Sequence, residues 1–133
     1  MAKILVVDDS SSVRESARQA LEAAGHEVLT EGNAILLAVH MHREKLDLVL
    51  LDVSLPLVTG DSSLKGLRPE DLENTIVLLY SSLGRDELKV LVEKSGARGY
   101  ILKSADPTDL VRQVDGWLTQ ARSPPPSRSA MQK

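Results

Sequence analysis

The amino-acid sequence predicts an α/β domain built on one parallel, doubly wound sheet, and three observations carry that prediction. Short apolar runs recur along the chain and are continuous instead of alternating: Ile4-Leu5-Val6-Val7, Leu48-Val49-Leu50-Leu51, Ile76-Val77-Leu78-Leu79 and Tyr100-Ile101-Leu102, with a weaker one at Val28-Leu29-Thr30. Such runs suit strands covered on both faces. Segments of helical spacing lie between them, which gives right-handed β-α-β units. The length, 133 residues with 42% hydrophobic residues, fits a single core.

Each element has its own local reason. After the first strand, Val13, Ala17, Ala20, Leu21 and Ala24 share one helical face, with Ser10 or Ser11 as the N-cap and Gly25 as the stop. Asn33 to Arg43 reads as a helix, yet Ala34 to Val39 is apolar all round. That pattern fits a well-buried helix, one turn of mis-assigned strand, or an apolar contact surface for a partner. Residues 60–74 read as a short helix followed by a turn, punctuated by Gly60, Gly66 and Pro69. Leu88, Leu91 and Val92 form the apolar face of the next helix, which ends at Gly96. Leu110, Val114, Trp117 and Leu118 form that of the last, opened by Pro107 in its first turn. Two domains of behaviour are expected: a folded body over 1–121, and a tail over 122–133. From Ser123 that tail turns to Ser-Pro-Pro-Pro-Ser-Arg-Ser, too polar to order itself by burial.

Composition narrows the function. There is no Cys, hence no disulfide framework, thiolate zinc site or cysteine nucleophile. The longest apolar runs are far shorter than the roughly 20 residues that cross a bilayer, and no signal-peptide pattern opens the chain, so the expectation is a soluble, cytoplasmic protein. The net charge of −3 hides an asymmetry: residues 1–120 carry 13 bases against 19 acids, while Arg122, Arg128 and Lys133 make the remainder basic. An acidic body argues against direct nucleic-acid binding, which needs clustered Lys and Arg. Neither G-x-G-x-x-G nor G-x-x-x-x-G-K-[ST] occurs, which removes the common nucleotide-binding loops.

The polar residues that interrupt the apolar runs fall at the C-terminal ends of strands: Asp8 and Asp9, Asp52, Ser81 and Ser82, and Lys103. Ligands of open parallel sheets bind at that edge, where the strand order reverses. With the order 2-1-3-4-5, the reversal brings Asp8, Asp9 and Asp52 together. Three carboxylates in one crevice call for a divalent cation, and oxygen ligands favour Mg2+. Lys103 and Ser81 add an ammonium and a hydroxyl suited to a phosphoryl group. Asp52 is the best candidate nucleophile, because the adjacent pair Asp8 and Asp9 is better suited to holding metal.

These residues carry a family resemblance. Ile-Leu-Val-Val-Asp8-Asp9-Ser, Leu-Val-Leu-Leu-Asp52 followed by Pro56 and Gly60, Leu-Leu-Tyr-Ser81-Ser82 and Gly99-Tyr100-Ile-Leu-Lys103 together resemble the receiver domain of two-component response regulators, over residues 1 to about 121. The resemblance implies a flavodoxin-like sandwich of five parallel strands and five helices. It implies that Asp52 accepts a phosphoryl group from a phosphohistidine of a sensor histidine kinase or phosphotransfer protein. It also implies that Asp9, the Asp52 side chain and the main-chain carbonyl of Ser54 ligate Mg2+ directly, with Asp8 acting mainly through water. Lys103, Ser81 and Ser82 would meet the phosphoryl oxygens. Ser81 and Tyr100 would form the switch, read by a target protein on the face made by the helix of Leu88, the Tyr100 strand and the last helix. Tyr80 reads as core, and Trp117 as core or as part of that readout face. A phosphatase of the haloacid dehalogenase type shares the residue types but looks for Asp-x-Asp, whereas Asp8 and Asp9 are adjacent.

Three departures matter. Ser104 stands where the family usually has Pro after Lys103, so a trans Lys103-Ser104 bond is expected. Ser54 and Leu83 border the expected position of the hydrolytic water and offer little to orient it, so self-dephosphorylation is expected to be slow. His40 and His42 are two apart on a helix and point to different sides, which argues against a metal pair. His26 carries no visible role. No output domain follows residue 122, so a stand-alone receiver that signals through another protein is expected. A receiver-like adaptor that binds without phosphorylation is the alternative.

Overall fold

A computed structural model describes residues 1–53, 67–103 and 106–122. Five strands form one parallel sheet: β1 (Lys3–Val7), β2 (Glu27–Glu31), β3 (Leu48–Asp52), β4 (Ile76–Ser81) and β5 (Gly99–Leu102), in the order β2-β1-β3-β4-β5. The expected order and all five strands are present. The register places Val7 beside Leu51 and Asp52 beside Tyr80, so neighbouring strands end at the same edge.

Among the described residues the helices are α1 (Ser11–Ala23), α2 (Leu37–Arg43, entered through a 3-10 turn at Ala34–Leu36), α3 (Pro69–Asn74), α4 (Arg85–Ser95) and α5 (Pro107–Arg122). The continuous apolar runs serve two cores. Leu5, Val7, Val49, Leu51, Val77 and Leu79 face a layer with Ala34, Leu37, Met41 and Leu88. Ile4, Val6, Leu48, Leu50, Leu78 and Tyr80 face a second layer with Ala17, Leu21, Leu110, Val114 and Leu118. Burial is nearly continuous along the three inner strands and incomplete along the two marginal ones, β2 and β5.

Local chemistry sets the helix ends. Ser10 is the N-cap of α1, its Oγ accepting from the Val13 N–H at 3.3 Å. Gly25 (φ 97) and Gly96 (φ 85) take the left-handed conformation that ends α1 and α4. Of the expected α1 face, Ala17 and Leu21 are buried while Ala24 is exposed beyond the last turn.

Three expectations gain detail. Pro69 opens α3 at a position where the missing N–H costs nothing, so the described part of 60–74 ends in a helix where a turn was expected. The last helix runs through Arg122, the first residue assigned to the tail and one past the expected end of the body at 121. The apolar run around α2 is not wholly buried: Ile35, Leu36 and Val39 are exposed while Ala34, Leu37 and Met41 are buried. Ser54, Pro56, Gly60, Gly66, Ser104 and the 123–133 tail lie outside the described residues.

Candidate functional site: an acidic crevice at the sheet edge

The C-terminal ends of β1 and β3 bring Asp8 and Asp52 together, and Asp9 follows Asp8. One carboxylate oxygen from each of the three lies within 4.8 Å of the others. Asp8 and Asp52 are 1% and 4% exposed, so their charges are withdrawn from water, while Asp9 is exposed. Lys103, just beyond β5, reaches back across the edge. Its Nζ donates to Asp8 Oδ2 at 2.9 Å and to Asp52 Oδ1 at 3.4 Å. Burial alone would lower the Lys103 pKa, but the hydrogen bond to Asp8 and the charges of Asp8 and Asp52 outweigh it, and the net direction is upward.

Asp8 is held on every polar atom. Its N–H donates to the Glu31 carbonyl (3.0 Å), its carbonyl accepts from Arg14 Nη1 (2.5 Å), and its Oδ1 accepts from the Ser10 N–H (2.9 Å). Ser81 closes the other side. Its carbonyl accepts from the Lys103 N–H at 2.7 Å, which joins β4 to β5, and its buried Oγ accepts from the Leu83 N–H at 3.0 Å. The Ser81 hydroxyl proton therefore remains available to an acceptor in the crevice. Ser82 and Leu83 are exposed at the rim.

Two side chains at this edge were not assigned a role from sequence. Arg14 arrives from the second turn of α1. The Tyr80 ring, expected and found in the core, also lies 5.3 Å from the Lys103 ammonium. Burial raises the Tyr80 pKa; the Lys103 charge lowers it and the Asp8 charge raises it. Nothing in the spacing marks either the Tyr80–Lys103 contact or the reach of Arg14.

Tyr100 is half-buried on β5, beside Leu79 in register. It lines a groove of about 590 Å³ with Arg85, Lys89, Leu102 and Trp117. Trp117 packs partly on the α1/α5 core, and its ring covers the Cα of Gly99, where an added Cβ would lie 2.5 Å from the indole. His40 and His42 do not meet: His40 Nε2 pairs with Glu31 Oε1 at 2.9 Å, and His42 is exposed. His26 has a structural place, its Nδ1 accepting from the Ala2 N–H (3.1 Å) and its Nε2 facing Asp115 Oδ1 (2.9 Å).

The donor set fits an oxygen-seeking divalent cation. Three carboxylate oxygens converge, and against them Lys103 is the ammonium in contact. Among the described residues no other group of acids, His and Cys converges in this way. No helix of the described residues is long and apolar enough to cross a membrane.

Comparison with known proteins points the same way. Protein PilH of Pseudomonas aeruginosa is 31% identical over 122 residues, covering 89% of this chain and 98% of PilH. The CAI-1 autoinducer sensor kinase/phosphatase CqsS of Vibrio cholerae is 32% identical over 118 residues. The chain spans only 17% of CqsS, and 51% of another relative, the regulator PhoB of Pseudomonas aeruginosa. Among solved structures, the chemotaxis response regulator CheY4 of Vibrio cholerae superposes with a TM-score of 0.76 at 29% identity, covering 87% of this chain and 98% of CheY4. The family model of the response regulator receiver domain matches residues 4–115. With the strand order, the acidic crevice and the reaching lysine in place, the chain belongs to the response regulator receiver domain family of two-component signalling.

Proposed function

We propose that this receiver accepts a phosphoryl group on Asp52 and signals by binding another protein in its phosphorylated form. Receiver domains as a family are phosphoacceptors that bind Mg2+ through an acidic pocket and work with histidine kinases or phosphotransfer proteins. The observation that carries the assignment to Asp52 is its place in the crevice: 4% exposed, at the end of a central strand, with Lys103 Nζ 3.4 Å away.

In this reading an Asp52 oxygen attacks the phosphorus of a phosphohistidine. The P–N bond breaks, the imidazole leaves with its electron pair and takes a proton from solvent, and an acyl phosphate remains. Asp8, Asp9 and Asp52, with the Ser54 carbonyl outside the described residues, would hold Mg2+. When bound, that ion neutralises the carboxylates and the charge spread over the phosphoryl oxygens. Lys103 moves its ammonium from the carboxylates toward a phosphoryl oxygen. Ser81, and Ser82 at the rim, donate hydroxyl protons to the phosphoryl oxygens, and Tyr100 turns as Ser81 shifts. That rearrangement would reach the groove between α4, β5 and α5, where a target protein docks. Leu83 and Ser54 offer no strong acceptor to a hydrolytic water, so the acyl phosphate turns over slowly.

The test is incubation with a small acyl phosphate donor and Mg2+, followed by intact-mass measurement. The wild type gains one phosphoryl group and Asp52→Asn gains none; an unmodified wild type overturns the proposal. The exposed Ile35, Leu36 and Val39 support a second reading, an adaptor that binds through α2 regardless of phosphorylation. Under that reading partner capture is equal for wild type and Asp52→Asn.

A further inference from the structure

Asp8 is bonded through its amide, its carbonyl and both carboxylate oxygens, and the group that holds its carbonyl is Arg14. The Arg14 guanidinium donates to the Asp8 carbonyl, while the Asp8 N–H is tied to the carbonyl of Glu31, the residue before Gly32. Gly32 provides the room: a Cβ there would lie 2.9 Å from Arg14 Nη1 and 3.4 Å from its Cζ. Gly32 does not have a positive φ, and a side chain there would displace the guanidinium from its present seat and not strain the backbone. Arg14 therefore ties α1 to the loop after β1 while lying over Gly32 in the loop after β2, in the slot that the glycine leaves open.

We propose that Arg14 is a positioning residue for the cation site: seated over Gly32, it fixes the Asp8 peptide so that Asp8 and Asp9 present their carboxylates to a divalent cation. The inference rests on the phosphoacceptor reading of the same crevice. Arg14 does not touch the reacting atoms; it acts through the Asp8 main chain. Two roles predict opposite signs. As a mere neighbouring positive charge, Arg14 would repel a cation, and its removal would tighten binding. As a positioning group, its removal weakens binding, roughly tenfold by analogy with other outer-shell partners of metal ligands.

The experiment titrates Mg2+ calorimetrically into full-length wild type, Arg14→Gln, Gly32→Ala and the double variant. Arg18→Gln is the control: it removes an equal charge from the same helix, where Arg18 pairs only with Glu15 and Glu22. Arg14→Gln is expected to weaken binding roughly tenfold. Gly32→Ala, which keeps the charge but fills the slot, should weaken it in the same direction, and the double variant should lose no more than Arg14→Gln alone. Amide hydrogen exchange of Ser10, which reports the Asp8 Oδ1 bond, is measured in metal-free protein and should accelerate in both single variants but not in Arg18→Gln. Unchanged or tighter Mg2+ binding in Arg14→Gln overturns the proposal, as does unchanged Ser10 exchange. If the wild type binds no Mg2+, the phosphoacceptor reading falls with it, and the Ser10 exchange alone decides whether Arg14 holds Asp8.

Discussion

Replacing Asp52 by Asn should stabilise the protein without divalent cations and remove much of what Mg2+ adds. The geometry sets the size. At an effective dielectric of about 20, the Lys103–Asp52 pair at 3.4 Å is worth about 5 kcal/mol of gross attraction. The Asp8 and Asp52 oxygens, within 4.8 Å, repel by about 3.5 kcal/mol or more. Exposed Asp9 is screened and changes this little. These two charge pairs taken by themselves leave a surplus of about 1.5 kcal/mol or less, against the desolvation of a carboxylate 4% exposed, which costs several kcal/mol and which a neutral amide avoids. Asp52→Asn is therefore expected to be about 1–3 kcal/mol more stable in a chelator, by urea unfolding followed through Trp117, the single tryptophan. Mg2+ at a hundred times its dissociation constant should add about 2.7 kcal/mol to the wild type. The two-carboxylate variant should gain less. A variant less stable than wild type in chelator, or one that gains as much from Mg2+, would refute the reasoning.

Three further outcomes can be checked. Gly99→Ala puts a Cβ against the Trp117 ring, so the indole must leave its seat; stability should fall by about 1–3 kcal/mol and the fluorescence maximum should move to the red. His26→Ala strands the Ala2 N–H at a partly buried position and should cost about 1–3 kcal/mol by urea unfolding; an unchanged midpoint would deny His26 its bracing role. The Asp71 carboxylate accepts from the Arg68 side chain and N–H, which hold its pKa below the usual 3.8 despite burial. A depressed folded pKa means that the stabilisation is fully present above the unfolded value and lost as pH falls through the folded one. Acid unfolding of Asp71→Asn should therefore be flatter below about pH 4 than that of wild type.

Most of the fold was legible because its signals are local. Continuous apolar runs declare strands covered on both faces, and Gly25, Gly96 and Pro107 mark helix ends through backbone chemistry alone. The convergence of Asp8, Asp9, Asp52 and Lys103 was legible through the edge rule of parallel sheets. Arg14 was not, because a long side chain reaching from α1 to another loop depends on the distance between elements and on the space over Gly32. The Lys103–Tyr80 contact joins two strands through side-chain reach, which periodicity does not encode. The α2 run left burial and exposure both open, since an all-apolar stretch shows what can be buried but not how much neighbour there is to bury it.

The open edge of the sheet also bears on how copies of this chain behave when crowded. β2 has no neighbour on its outer side among the described residues, and it begins and ends with a glutamate, Glu27 and Glu31. If two molecules paired edge to edge, antiparallel about Leu29, each Glu27 would fall opposite a Glu31, and like charges directly opposite disfavour the ladder. The His40 hydrogen bond lowers the Glu31 pKa despite burial, so this guard stays charged into moderately acidic solution. Strand-on-strand filaments are thus resisted at the sheet margin by the residue that also receives the Asp8 amide.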